Sequence, residues 1–272
     1  LYQGRQMARI FSFAMMIFTL VPAVAPLLGT GIIAFAGWRG VFIAFVLFSL
    51  IGTLWLGLRQ PETLPRDRRR PLNLRALLSA LREILTNRVV VTSIGVQITI
   101  FGCLFGNISS IQQVFDQHFG KAESFPLWFA AIALLAGSSS FVNARVVVRL
   151  GMRWIVTASL TALSILSAVT ALIYLSNALP EAAEFPVYFL WTTSVFFSAG
   201  LTMGNLNALA LEPMGHIAGA AASAVGSIAT VFGASLAVPI GLAFDGTPLP
   251  LIISVTVLAL IGLALMRSMP GR

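Results

Sequence analysis

The chain has 272 residues, of which 58% are hydrophobic and only 10% are charged, and its formal net charge is +8. Soluble domains carry about 25% charged residues, so this composition excludes a water-soluble fold. The basic excess does not call for a nucleic acid partner, because membrane orientation and anionic lipid headgroups account for arginines in short loops.

Eight apolar stretches are long enough to cross a bilayer, which takes a helix of roughly 20 apolar residues. They lie at approximately 10–36, 41–58, 89–115, 126–144, 154–176, 186–210, 217–244 and 249–266. The sequence therefore predicts an all-α membrane protein with about eight transmembrane helices. Because a long polar stretch follows the second span, we expect three parts: helices within 1–58, a linker at 59–88 and a six-helix bundle at 89–272.

The first span is interrupted by Pro22, Pro26 and Gly29, and Gly37-Trp38-Arg39-Gly40 closes it. Each proline removes a backbone hydrogen bond that hydrocarbon cannot replace, so the pattern predicts a bent transmembrane helix. The bend is open to two interpretations. It is either an ordinary kink or a tight seal against a facing helix.

The polar linker contains apolar residues at helical spacing beside Arg75, Arg82 and Glu83. These apolar residues are Leu74, Leu77, Leu78, Leu81, Ile84 and Leu85. The spacing predicts an amphipathic helix that lies on the membrane surface, and the alternative is a solvated linker with accidental periodicity.

The distribution of basic residues predicts the orientation of the chain in the membrane. If the chain starts inside, 15 of its 17 basic residues are cytoplasmic and only Arg39 and Lys121 lie outside. The positive-inside rule then places both termini in the cytoplasm. No Asp, Glu, Lys or Arg falls in the hydrophobic middle of a span, so the sequence offers no intramembrane charge for proton coupling.

Two predicted spans carry uncharged polar residues along one helix face. In 89–115 these are Thr99, Cys103, Asn107, Ser110 and Gln113, and in 186–210 they are Trp191, Ser194, Ser198, Thr202 and Asn205. They are candidates to line a substrate cavity in which the indole ring stacks on flat apolar compounds. They could equally form hydrogen bonds between membrane helices. Asn205 and Asn207 lie near the inner end and are candidates for a gate.

The span 217–244 has small residues at similar spacing. They are Gly219, Ser223, Gly226 and Thr230, extended by Gly215 and Ala234. Small residues in this register allow close approach between helices, so we expect a packing face or a sliding gate surface.

Enzyme and metal motifs are absent from the sequence. It contains no His-Glu-x-x-His, no Gly-x-Ser-x-Gly and no phosphate-binding Gly-x-x-x-x-Gly-Lys. Cys103 is the single cysteine, and His118 and His216 are far apart near span ends. The sequence therefore predicts neither catalysis nor a cofactor.

Several motifs resemble one transporter family. The segment 21–29, Val-Pro-Ala-Val-Ala-Pro-Leu-Leu-Gly, resembles the antiporter signature on the fifth helix of drug:proton antiporters of the major facilitator superfamily. Pro26 and Gly29 match that signature, whereas Val21, Ala25 and Thr30 depart from it. The segments Gly37-Trp38-Arg39, Pro61-Glu62-Thr63-Leu64 and Glu212-Pro213-Met214-Gly215-His216-Ile217-Ala218-Gly219 resemble the Bcr/CflA branch, named for bicyclomycin and chloramphenicol resistance.

The resemblance implies a twelve-helix protein of two six-helix bundles, with this chain holding the last two helices of the first bundle and all of the second. It also implies a monomeric secondary transporter of a bacterial inner membrane that exports small amphipathic compounds by proton antiport. The proton-exchanging acidic residue would then lie in the first four helices, outside this chain. The alternatives are a metabolite exporter for a sugar or amino acid, or a transport-dead bundle that serves as a membrane scaffold.

Overall fold

The computed structural model describes residues 4–59 and 74–270. In these residues the regular elements are all helices: α1 Gly4–Arg59, α2 Leu74–Thr86, α3 Arg88–Gln113, α4 Phe125–Leu150, α5 Met152–Leu175, α6 Glu181–Leu211, α7 Ala218–Leu242 and α8 Leu249–Ser268. A π-helical turn, Val114–His118, continues α3, and a 3₁₀ segment, Glu212–Ile217, joins α6 to α7. The predicted all-α class is confirmed.

Six helical stretches of the described chain are long and apolar enough to cross a membrane. The number is lower than the eight predicted spans because short connections leave neighbouring helices continuous. The stretch Glu181–Leu242 takes in two predicted spans, and Leu28–Arg59 takes in the second predicted span and the end of the first. Each of the other four corresponds to one predicted span.

Gly37 interrupts α1 at the predicted boundary between the first two spans. Its backbone has φ 66° and ψ −179°, a region that only glycine adopts without strain. The two halves of α1 therefore change direction at this residue without an intervening loop.

Helix α3 lies at the centre of the bundle and packs against α6, α7 and α8. Around it α5 packs against α6 and α8, α4 packs against α6, and α1 packs against α4. The contact between α3 and α7 is a close one, because a Cβ added to Gly233 would lie 3.3 Å from both the Ile98 carbonyl oxygen and the Gly102 nitrogen and would overlap Phe101. Glycine thus lets these two helices meet almost backbone to backbone, as is common in membranes.

The helix predicted within the linker forms as α2. Ile84 is 1% exposed and packs with Met214 and Val225 beneath the turn between α6 and α7, whereas Leu77 and Leu78 on another flank are about half exposed. The Asn87 side chain accepts hydrogen bonds from the backbone N–H groups at the start of α3. Helix α2 therefore marks one end of the bundle, here named the α2 end, and the opposite end, with the loop after α3, is named the far end.

Candidate functional site

Helix α3 directs most of its predicted polar residues into the bundle. The Thr99 hydroxyl donates to the Val96 carbonyl oxygen at 2.8 Å, and the Cys103 sulfur lies 3.9 Å from the Val255 carbonyl oxygen. Asn107 and Ser110 are 0% and 1% exposed, and their side-chain polar atoms have no hydrogen-bond partner. Gln113, predicted on the same face, is exposed.

The unpartnered Asn107 amide is the unusual feature of this interior. Cys103 and Ile111 lie one turn on either side of it, and both belong to an apolar cluster with Trp191 and Val195 of α6. The same cluster includes Val255 of α8, whose carbonyl oxygen lies against the Cys103 sulfur, so the register turns Asn107 into the bundle interior. Buried polar groups are nearly always hydrogen-bonded, so a donor and an acceptor left open here suit a bound water or a polar group of a ligand.

Four further buried polar groups without partners were missed by the sequence analysis. They belong to Gln97 on α3, Ser164 on α5, and Tyr188 and Thr192 on α6. Tyr188 and Thr192 interact with each other one turn apart, but outside hydrogen-bonding geometry. The sequence does mark Gln97 as a candidate, because an amide is unusual in an apolar span. It does not mark the Ser and Thr hydroxyls, because Ser and Thr in membrane helices commonly bond their own backbone.

The predicted residues of α6 hold helices together. The Trp191 Nε1–H donates to the Ser167 hydroxyl of α5 at 2.9 Å, and the Ser198 and Ser159 hydroxyls lie 2.8 Å apart. Nearer the α2 end, the Asn205 Nδ2 group donates to Asn143 Oδ1 of α4 at 2.7 Å. These contacts match the interhelical interpretation, and a substrate-stacking role for Trp191, which is 1% exposed, stays a prediction.

Ser194 and Thr202 bond within α6 itself. The Ser194 hydroxyl donates to the Trp191 carbonyl oxygen at 2.6 Å, and the Thr202 hydroxyl donates to the Ser198 carbonyl oxygen at 2.7 Å. Their own helix thus satisfies both groups, and a cavity role for Ser194 stays a prediction.

The small residues predicted as a packing face on α7 point away from the other described helices. A Cβ added to Gly219 or Gly226 meets no atom within 4 Å, and Ser223 and Thr230 are exposed. The covered face of α7 instead carries Ala221, Val225, Ala229 and Gly233. A gate role for the exposed face stays a prediction.

The antiporter-like segment lies in α1. The backbone is helical through Pro22 and Pro26, whose side chains lie outside the described residues. A Cβ added to Gly29 meets no atom within 4 Å of the described chain. The seal predicted at Pro22, Pro26 and Gly29 therefore stays a prediction for the complete protein.

The helices define a multi-pass membrane protein whose bundle has an uncharged but polar interior. No group of three or more His, Cys, Asp or Glu that could hold a metal ion occurs in the described ranges. Residues 1–238 match the Major Facilitator Superfamily, and the chain belongs to this superfamily of membrane transporters. The resemblance seen in the sequence is thereby confirmed.

Two curated relatives are similar to nearly the whole chain. An uncharacterized MFS-type transporter of Bacillus subtilis, YdgK, is 25% identical over 267 residues, which cover 96% of this chain and 64% of the relative. A bicyclomycin resistance protein homolog of Haemophilus influenzae is 26% identical over 238 residues, which cover 86% of this chain and 58% of the relative. The chain thus spans about three fifths of the length of these relatives.

Proposed function

We propose that the complete protein is a monomeric secondary transporter that exports small amphipathic compounds across a bacterial inner membrane in exchange for protons. Membership of the superfamily supports transport, and the name of the Haemophilus influenzae relative supports a drug-like substrate. The structural observation that carries the proposal is the buried, unpartnered amide of Asn107 on the face of α3 that points into the bundle interior.

Uncharged groups around Asn107 suit an amphipathic substrate. Ser110, one turn further along α3, also has a buried hydroxyl without a partner. Such groups recognise a ligand by hydrogen bonds and shape, while the surrounding aromatic and aliphatic side chains bury its apolar part. No charged side chain among the described residues of the bundle interior would select for the sign of a substrate.

Substrate entry requires a second conformation. Asn107 is 0% exposed, so a compound reaches it only when the helices packed around it separate. Alternating access in transporters proceeds by rocking one bundle against another around a central site. We place the seal of such a movement at Pro26 and Gly29 of α1, where Gly29 leaves open space for a facing helix.

The proposed orientation has both termini in the cytoplasm and lipid around the apolar outer faces. Reporter fusions after Arg70 and after Arg272 should behave as cytoplasmic, and a fusion near Glu181 as external. An external signal after Arg70 would overturn this orientation.

Export by the complete protein is the direct test. A bacterial host without its own efflux pumps should gain resistance to several amphipathic compounds when it expresses the protein. Everted membrane vesicles should then accumulate a fluorescent substrate when a proton gradient is imposed and release it when the gradient is collapsed. Transport of a sugar or an amino acid with no drug phenotype would favour the metabolite exporter, and no transport of any kind would favour the scaffold.

A further inference from the structure

A histidine and a glutamate join α3 to α6 at the far end of the bundle. His118 is the last residue of the π-helical turn that continues α3, and Glu184 lies in the first turn of α6. The His118 Nε2 and Glu184 Oε2 atoms are 3.2 Å apart, and the two side chains are 23% and 33% exposed. π-Helical turns are rare and are frequently found at functional sites.

The neighbouring elements place a second carboxylate near this imidazole. Asp245 in the loop between α7 and α8 has its pKa held below the usual value, first by the hydroxyl and backbone N–H of Thr247 and, more weakly, by His118. Within the same π-helical turn lies Asp116. Glu184 and Asp245 are thus the carboxylates that the structure places near this ring.

Two further titratable groups near the pair have other partners. The Tyr174 hydroxyl of α5 donates to the Glu184 carbonyl oxygen at 2.9 Å. The Lys121 ammonium lies 4.9 Å from the centre of the Phe185 ring. Of Tyr174, Lys121 and His118, it is His118 that contacts the Glu184 carboxylate.

The other histidine provides an internal comparison. The sequence has two histidines, and His216 also meets a glutamate, with its Nε2 atom 2.8 Å from Glu83 Oε1 at the α2 end. That pair is 60% and 46% exposed, and exposed ion pairs contribute little because water screens them. Burial and a second nearby carboxylate distinguish the far-end pair.

We propose that His118 and Glu184 form a proton-binding site whose occupation ties the end of α3 to the start of α6. A proton from the solution bonds to the imidazole ring and no other bond changes. Imidazole is the side chain that ordinarily titrates between about pH 5 and 8, so protonation adds a charge beside an ionised carboxylate within the physiological range. The tie needs both charges, so it is present when the imidazole carries a proton and the carboxylate does not.

This site does not depend on the proposed proton antiport, since the change it makes is a local contact that exists without substrate. Hydrogen exchange of the complete protein in detergent measures that contact directly. Peptides that cover 114–120 and 181–188 should be followed at about pH 5.5 and about pH 8, with rates corrected for the intrinsic pH dependence of exchange.

In the parent protein we expect the corrected protection of both peptides to be about fivefold greater at the lower pH. His118→Gln, which keeps a hydrogen-bonding side chain but cannot become charged, should abolish that difference, as should Glu184→Gln from the other side of the pair. His216→Gln, the matched control at the α2 end, should retain it.

Equal protection at both pH values in the parent protein would overturn the proposal, as would a pH difference that survives in Glu184→Gln. If His118→Gln fails to fold, the parent protein and Glu184→Gln still decide the outcome. Loss of proton-driven export with the exchange difference intact would contradict the proposed function and leave this site in place.

Discussion

Replacing Asn107 by leucine should separate the stability of the bundle from its function. Leucine has the same number of side-chain heavy atoms and the same branching as asparagine but no polar atoms, and both polar atoms of Asn107 are buried without partners. A buried polar group left unpaired costs about 1 to 3 kcal/mol. We therefore expect Asn107→Leu to raise the free energy of unfolding by about 1 to 3 kcal/mol.

Asn205 offers a matched control on α6. Its amide donates to the Asn143 Oδ1 atom and to the Leu201 carbonyl oxygen, both at 2.7 Å. Asn205→Leu removes these bonds and leaves Asn143 unpaired, so it should lower the free energy of unfolding by about 1 to 3 kcal/mol. The same substitution is thus expected to act with opposite sign at two positions of one bundle.

Thermal unfolding in detergent measures the effect of each substitution on stability, and export from cells measures the effect on function. In a chain of this size each kcal/mol corresponds to about 2 to 4 °C in Tm. If Asn107 bonds the substrate, Asn107→Leu should also reduce export roughly tenfold or more despite its higher Tm, because a polar group of the substrate then lacks its partner. A lower Tm for Asn107→Leu would contradict the claim that the Asn107 amide is unpaired. Export at the parental rate would contradict the claim that this amide contacts the substrate.

Three further substitutions test separate features. Gly233→Ala should lower Tm by several degrees because its Cβ meets backbone atoms of α3, whereas Gly226→Ala, with no atom within 4 Å of its Cβ, should leave Tm equal or slightly raised; equal values for the two would contradict the close contact. In the complete protein Gly29→Leu should abolish export with membrane insertion intact, while Gly31→Leu, also in open space, should not; parental export by Gly29→Leu would refute the seal. Asp245→Ala should speed hydrogen exchange in the loop before α8 at neutral pH, and because the lowered pKa makes this contribution one that is lost on acidification, the difference should shrink as the pH falls below the usual pKa of an Asp carboxyl; a difference independent of pH would contradict the carboxylate's role.

The helices were predictable because their lengths follow from the thickness of the bilayer. Helix α8 begins and ends within two residues of its predicted span at 249–266, and the amphipathic spacing located α2 in the linker. Continuity was harder to predict. Glu212-Pro213 reads as a break between spans, yet a 3₁₀ segment carries the chain directly from α6 into α7.

The partners of the polar residues could not be predicted. Spacing placed Asn107 and Asn205 on helix faces. A single sequence does not tell that Asn205 bonds to Asn143 whereas Asn107 has no hydrogen-bond partner. Small residues surround much of α7, so its composition allowed two packing faces, and the structure uses the one with Gly233. The hydrogen-bond partners and the packing face of α7 depend on tertiary contacts, which local sequence patterns do not encode.

The unequal distribution of side-chain hydrogen bonds around α6 has a mechanical consequence. Bonds to α4 and α5 fix α6 at the levels of Trp191, Ser198 and Asn205, and directional bonds resist sliding. Toward α3 the described contacts are van der Waals ones, except where His118 meets Glu184 at the far end. Dispersion contacts change little when one helix shifts along another, so α6 should slide more easily along α3 than along α4 or α5. A covalent cross-link between α3 and α6 would therefore oppose the easier of these movements in structural work.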